Sequence, residues 1–117
     1  MARIVGAQLV TGDEPLQALR ITPGWTVEYN KFWEVDADHP DVWTLLAESL
    51  LQLRHQRYNR LLDLGWYPEG EPDGRFLMRL YEGDFTGRLL RKEESQSRAE
   101  IVSVIERLLH SVTRGDL

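Results

Sequence analysis

Cysteine is absent from the 117-residue chain. That excludes disulfides, thiolate metal sites and thiol nucleophiles. No apolar run approaches the ~18 residues a membrane-spanning helix needs. No basic start followed by an apolar stretch and a small-residue cleavage site is visible, so a cytoplasmic location is expected. Internal repeats, low-complexity segments and linkers rich in Pro, Gly or Ser are also missing. Basic charge is in short supply: 14 Lys and Arg face 19 Asp and Glu, for a net charge of -5. Binding nucleic acid takes a basic surface that displaces phosphate counterions, so direct nucleic-acid binding is disfavoured. Docking on an anionic membrane is disfavoured for the same reason.

What is present is globular in character. Hydrophobic residues make up 42% and charged residues 28%. That composition argues against disorder, and the length suits one domain. Residues 1–117 are expected to form a single α+β domain. The charge is uneven along it. Between Glu28 and Asp84 there are 12 acidic and 6 basic side chains; from Phe85 to Leu117 there are 5 and 6. The middle of the chain therefore carries the acidity, either as a solvated face that aids solubility or as a docking surface for a basic partner.

The hydrophobic pattern predicts strands, a helix, further strands and a last helix. Arg3–Val10 is apolar and β-branched, and the run Thr11–Pro15 reads as a turn after it. Leu16–Thr22 fits either a returning strand or a loop. Trp25–Asp36 alternates, with Trp25, Val27, Tyr29, Trp33 and Val35 on one parity and Phe32 as the exception. Lys31 interrupts that face, which places a bulge or strand end near it. Asp38-His39-Pro40-Asp41 suits a helix start, and Trp43, Leu46, Leu50 and Leu53 continue at helical spacing to about Gln56. Trp25, Trp43, Trp66 and Phe76 are expected in the core.

Arg60–Tyr67 and Arg75–Tyr81 read as two arms of a hairpin around Pro68–Gly74. One register sets Trp66 against Phe76, Leu64 against Met78 and Leu62 against Leu80. The other face then pairs Asp63 with Arg79, on the solvent side, and Leu61 with Tyr81. Arg88–Lys92 is a short, charged edge strand. Ser97-Arg98-Ala99-Glu100 matches a capping box, and Ile101, Ile105, Leu108 and Val112 form the stripe of a helix ending before Gly115. Hairpin connections dominate. The expected fold is a mainly antiparallel sheet of about 4–6 strands with two amphipathic helices packed on it.

The chemistry-bearing residues do not assemble a catalytic pattern. His39, His55 and His110 lie in separate segments without metal-ligand spacing. Glu34, Asp36, Asp38 and Asp41 are dense, but the calcium-loop pattern of central Gly and terminal Glu is missing. Asp63 sits in the apolar run Leu61–Tyr67, which suits either a carboxylic acid with a raised pKa or the cross-strand partner of Arg79. No phosphate loop, dinucleotide fingerprint or nucleophile elbow occurs. No catalytic residue, metal or cofactor is expected.

Acidic residues cluster beside aromatics: Glu34, Asp36 and Asp38 near Trp33, and Glu69, Glu71 and Asp73 near Trp66 and Tyr67. Aromatic anchors with charged surroundings are what a protein-binding surface needs. The stretches WTVEYNKFWEVD, LLDLGWYPEGEPDGRFLMRLYEGDF and SQSRAEIVSVIERLL together resemble small bacterial immunity proteins of polymorphic-toxin and contact-dependent growth inhibition systems. The resemblance covers roughly residues 25–112. It implies a non-enzymatic protein that binds a cognate toxin, often by covering its active site. Many such toxins are basic nucleases. Glu34, Asp36, Asp38, Glu69, Glu71 and Asp73 are the expected contacts for such a partner. Two other readings stand beside it. One is an adaptor, a homodimer joined through the edge strand near Arg88–Lys92 or through exposed aromatics. The other is a small hydrolase-like enzyme using Asp63, or an acid from Glu34–Asp41, with His39 or His55.

Overall fold

The computed structural model describes residues 14–117. The strand expected at Arg3–Val10 lies outside the described residues. The central hairpin is β3 (Arg60–Tyr67) and β4 (Arg75–Glu82). Its register is the one the side-chain pattern predicts: Trp66 opposite Phe76, Leu64 opposite Met78, Leu62 opposite Leu80, Asp63 opposite Arg79, and Leu61 opposite Tyr81. A slip by one residue would turn the Leu, Met and aromatic face to solvent.

The other strands are β1 (Trp25–Asn30), β2 (Leu51–His55) and β5 (Leu89–Ser95). They complete a 5-stranded antiparallel sheet in the order β1-β2-β3-β4-β5. Helix α2 (Arg98–Thr113) lies across one face. Ser97 caps it: its hydroxyl accepts from the Glu100 backbone N–H at 3.1 Å, as the capping box predicts. Ile101, Ile105, Leu109 and Val112 are buried in the same core as Leu53, Leu64, Trp66, Phe76 and Met78. Each fully buried side chain of this kind contributes about 1.5–3 kcal/mol. The segment before β1 is tied to the far end of α2. Thr22 Oγ1 donates to the Leu109 carbonyl at 3.0 Å, and the Trp25 indole N–H reaches the same carbonyl at 3.2 Å.

Three expectations need correction. The helix expected from Pro40 to about Gln56 is only 4 residues long, α1 at Val42–Leu45. Beyond it the chain becomes β2, with Leu51, Leu53 and His55 buried and Gln52 and Arg54 half-buried. Leu46, Leu50 and Leu53 satisfy a helical period, yet Leu51 and Leu53 satisfy a period of two equally well. Pairing with β3 decides the conflict, because it satisfies the strand backbone and fills the core at once. Second, the strand expected over Trp25–Asp36 stops at Asn30, the end anticipated near Lys31, after a register shift between Val27 and Tyr29. The shift breaks the expected alternation, so Val27 is exposed while Phe32 is fully buried. Third, Trp25 is half-buried and Trp43 is exposed, so the expected core tryptophans reduce to Trp66.

Candidate functional site

The loops that carry the acidic residues between Glu34 and Glu48 and between Glu69 and Asp73 meet at one end of the sheet. β1 and β4 point their trailing and leading ends there, together with the start of β2, the end of β3 and the N-terminus of α2. The β3–β4 loop docks on α1. Gly70 N–H donates to the Leu46 carbonyl at 2.8 Å, and the Glu69 carboxylate accepts from Glu48 N–H at 3.0 Å. The approach is close enough that a Cβ on Gly70 would lie 3.0 Å from the Trp43 carbonyl oxygen, and Gly70 has φ +73°. Only glycine meets both conditions without strain. The loop is held from the core as well, since the buried Trp66 indole N–H donates to the Glu71 carbonyl at 2.8 Å.

α1 turns its apolar side inward. Val42, Leu45 and the adjoining Leu46 are buried, at the i, i+3, i+4 spacing that marks one helix face. Trp43 follows about 100° round the helix and points outward. It is 68% exposed, the most exposed of the large hydrophobic residues described. The result is an indole on the surface beside the loop that carries Glu69, Glu71 and Asp73.

The six expected contact carboxylates divide by the work they already do. Asp36 binds Arg98 at 3.0 Å, which fastens the loop after β1 to the start of α2. Glu69 holds the Glu48 N–H. Glu34, Asp38, Glu71 and Asp73 are exposed and make no side-chain hydrogen bond or ion pair among the described residues. Asp36 and Glu69 thus shape the end of the molecule, and the other four carry its open charge. His39 serves the fold, accepting from Asp41 N–H at 2.9 Å and facing Glu14 at 3.3 Å.

The sheet face opposite α2 holds a second polar group. One row crosses all five strands: Tyr29, Gln52, Asp63, Arg79 and Lys92. Asp63 was expected on the solvent side, but it is only 6% exposed. Among the described residues no helix covers this face, and Gln52 and Arg79 flank Asp63 on the neighbouring strands. Burial pushes the carboxyl above the usual range, and the Gln52 amide at 3.3 Å and the charge of Arg79 offset this in part. The Arg79 guanidinium lies 5.8 Å from the Tyr67 ring centre, in cation–π range. Tyr81 and Phe85 meet edge to face at 5.5 Å at the other end of this face.

The hydrolase reading requires Asp63 or the Glu34–Asp41 acids to meet His39 or His55. His55 alternates with Arg54 and lies on the α2 face of β2, packed against Trp25 and Tyr58 at 5.1 Å each. Asp63 belongs to the opposite face, and the sheet separates them. Among the described residues, no group of three or more His, Asp or Glu side chains is placed to hold a metal ion. No helix of the described residues is long and apolar enough to cross a membrane.

Trp43 is the surface residue that the sequence pattern hides. The signal was the competing period of two in Leu51–His55, which shortens the helix and takes away the face that would bury the indole. No family model, no curated protein and no solved structure matches the chain.

Proposed function

We propose that the chain is a non-enzymatic binding protein, an immunity protein that neutralises a cognate bacterial toxin through its acidic end. The observation that carries the reading is the exposed Trp43 beside loops whose carboxylates at Glu34, Asp38, Glu71 and Asp73 are exposed and without an ion pair among the described residues. An exposed indole has few rotatable bonds, so it loses little entropy on contact and buries a large area. Surrounding carboxylates steer a basic partner and speed its approach. A basic nuclease fits both properties. The pattern of aromatic strand, hairpin and C-terminal helix supports the same class.

The test uses the tagged chain as bait in its native cell at low and moderate salt, with mass spectrometry of what stays bound. The expected result is one stoichiometric partner carrying a basic toxin domain, lost when the bait carries Trp43→Ala. Capture that ignores Trp43→Ala, or no capture while the toxin is expressed, would overturn the proposal.

A further inference from the structure

β5 is the outer strand of the sheet beside α2. Among the described residues none pairs with its outer edge, where a row of backbone N–H and C=O groups faces away from β4. The strand reads Leu89–Ser95, with the run Arg91, Lys92, Glu93 and Glu94 inside it. The register with β4 assigns their faces. Arg91 and Glu93 lie opposite Leu80 and Met78, on the α2 side. Lys92 and Glu94 lie opposite Arg79 and Leu77, on the open side.

The two faces differ in how their charges are matched. On the open side Lys92 and Glu94 face each other at 3.8 Å, and Arg75 joins Glu94 at 3.4 Å. On the α2 side Arg91 and Glu93 make no ion pair among the described residues. Arg91 lines a hollow of about 460 Å³ between β5 and α2, and Glu93 lines one of about 450 Å³. Arg107 of α2 borders both and is likewise without an ion pair among the described residues.

We propose that this edge is a self-association surface, on which a second copy of the chain adds its own β5 antiparallel to the first. The charge run complements itself when reversed, with cations first and carboxylates last. Lys92 is the midpoint of β5, and pairing centred on it engages Arg91–Glu93, clear of the register shift with β4 at Leu90. A two-fold axis perpendicular to the sheet keeps both α2 helices on one side. It sets Arg91 opposite Glu93 of the second copy, and Glu93 opposite Arg91 of the second copy. The two charges without an ion pair among the described residues therefore match each other between chains, and Arg107 adds a second cation beside the incoming carboxylate. The two Lys92 side chains meet at the axis, each already beside a Glu94. Parallel in-register pairing instead sets all four charges against their own kind, so the run selects the antiparallel pair. The other outer strand, β1, carries a single charged residue, Glu28, and offers no equivalent run.

Sedimentation equilibrium of the chain alone, across the micromolar to millimolar range, tests this. The expected result is a monomer–dimer equilibrium whose dissociation constant rises about tenfold or more between about 50 mM and about 500 mM salt. Arg91→Glu alone and Glu93→Arg alone each set like charges opposite and should abolish the dimer. Mixing those two variants pairs Glu with Arg at both positions and should restore a heterodimer. The double variant R91E/E93R should restore the homodimer. Circular dichroism of each variant checks that the fold is retained. A chain that stays monomeric throughout would overturn the proposal. So would a dimer that ignores the single variants, or one that the mixture fails to restore.

Discussion

The two ends of the sheet treat charge in opposite ways. At the end formed by the β2–β3 and β4–β5 turns, Arg54 and Arg60 are consumed by the fold. Arg54 binds Glu28 at 3.2 Å and the Gly83 carbonyl at 3.0 Å. Arg60 donates to the Leu117 carbonyl at 2.8 Å and to the Tyr58 carbonyl at 2.6 Å. Trp25, His55 and Tyr58 pack together there. At the acidic end, Asp36 and Glu69 hold structure, while Glu34, Asp38, Glu71 and Asp73 make no side-chain hydrogen bond or ion pair among the described residues. Charged side chains that fix geometry are poor candidates for recognition, because a partner would have to displace their existing bonds. Charge that holds nothing in place is free to meet one.

That contrast can be broken in several places. Trp66→Ala should have the largest effect, costing about 3–5 kcal/mol, since it empties the core and releases the Glu71 carbonyl. Denaturant unfolding would measure it, and a cost below about 1 kcal/mol would mean the acidic loop is not anchored through the core. Gly70→Val should cost about 1–3 kcal/mol through its left-handed backbone and the close Trp43 carbonyl. It should also shift the Trp43 fluorescence, whereas Arg57→Ala at the other end should leave that emission unchanged.

Asp63→Asn acts with the opposite sign. The raised pKa means the ionised carboxylate is disfavoured in the fold relative to the unfolded chain. Wild-type stability is therefore penalised above the folded pKa, and the penalty fades as pH falls towards the unfolded value of about 3.9. Thermal melts should show the variant more stable at neutral pH, with the advantage gone below that value. An advantage that persists in acid would place its cause elsewhere. Trp43→Ala should change stability least, within about 0.5 kcal/mol, because the indole is mostly in water. Its effect belongs to partner affinity, where a loss of about 2 kcal/mol is expected. A large stability loss would show that the indole serves the fold instead.

Where local pattern and tertiary packing agree, the fold was legible. The β3–β4 hairpin pairs as its side-chain matches require, from Leu61–Tyr81 to Trp66–Phe76. The α2 cap at Ser97 is equally local. Legibility failed where two periods overlap. Leu46, Leu50 and Leu53 fit a helix and Leu51 and Leu53 fit a strand, and only pairing with β3 resolves them. Trp43 was misplaced by the same ambiguity. Asp63 was read correctly as the neighbour of Arg79 across the strands, but its burial depends on side chains from three strands and no single segment carries that information. The meeting of the acidic loops was also beyond sequence spacing, because it rests on the Gly70–Leu46 and Asp36–Arg98 contacts.

The most direct test of the acidic end as a recognition surface is its association rate with the captured toxin domain as a function of salt. The wild-type chain is compared with a variant carrying Glu34→Lys, Asp38→Lys, Glu71→Lys and Asp73→Lys, which leaves Asp36 and Glu69 in their structural bonds. Stopped-flow mixing should show a wild-type rate that falls steeply with salt, and a variant about tenfold or more slower with a shallow salt slope. Equal rates and equal slopes would contradict recognition through this end and leave its carboxylates as a solvated face.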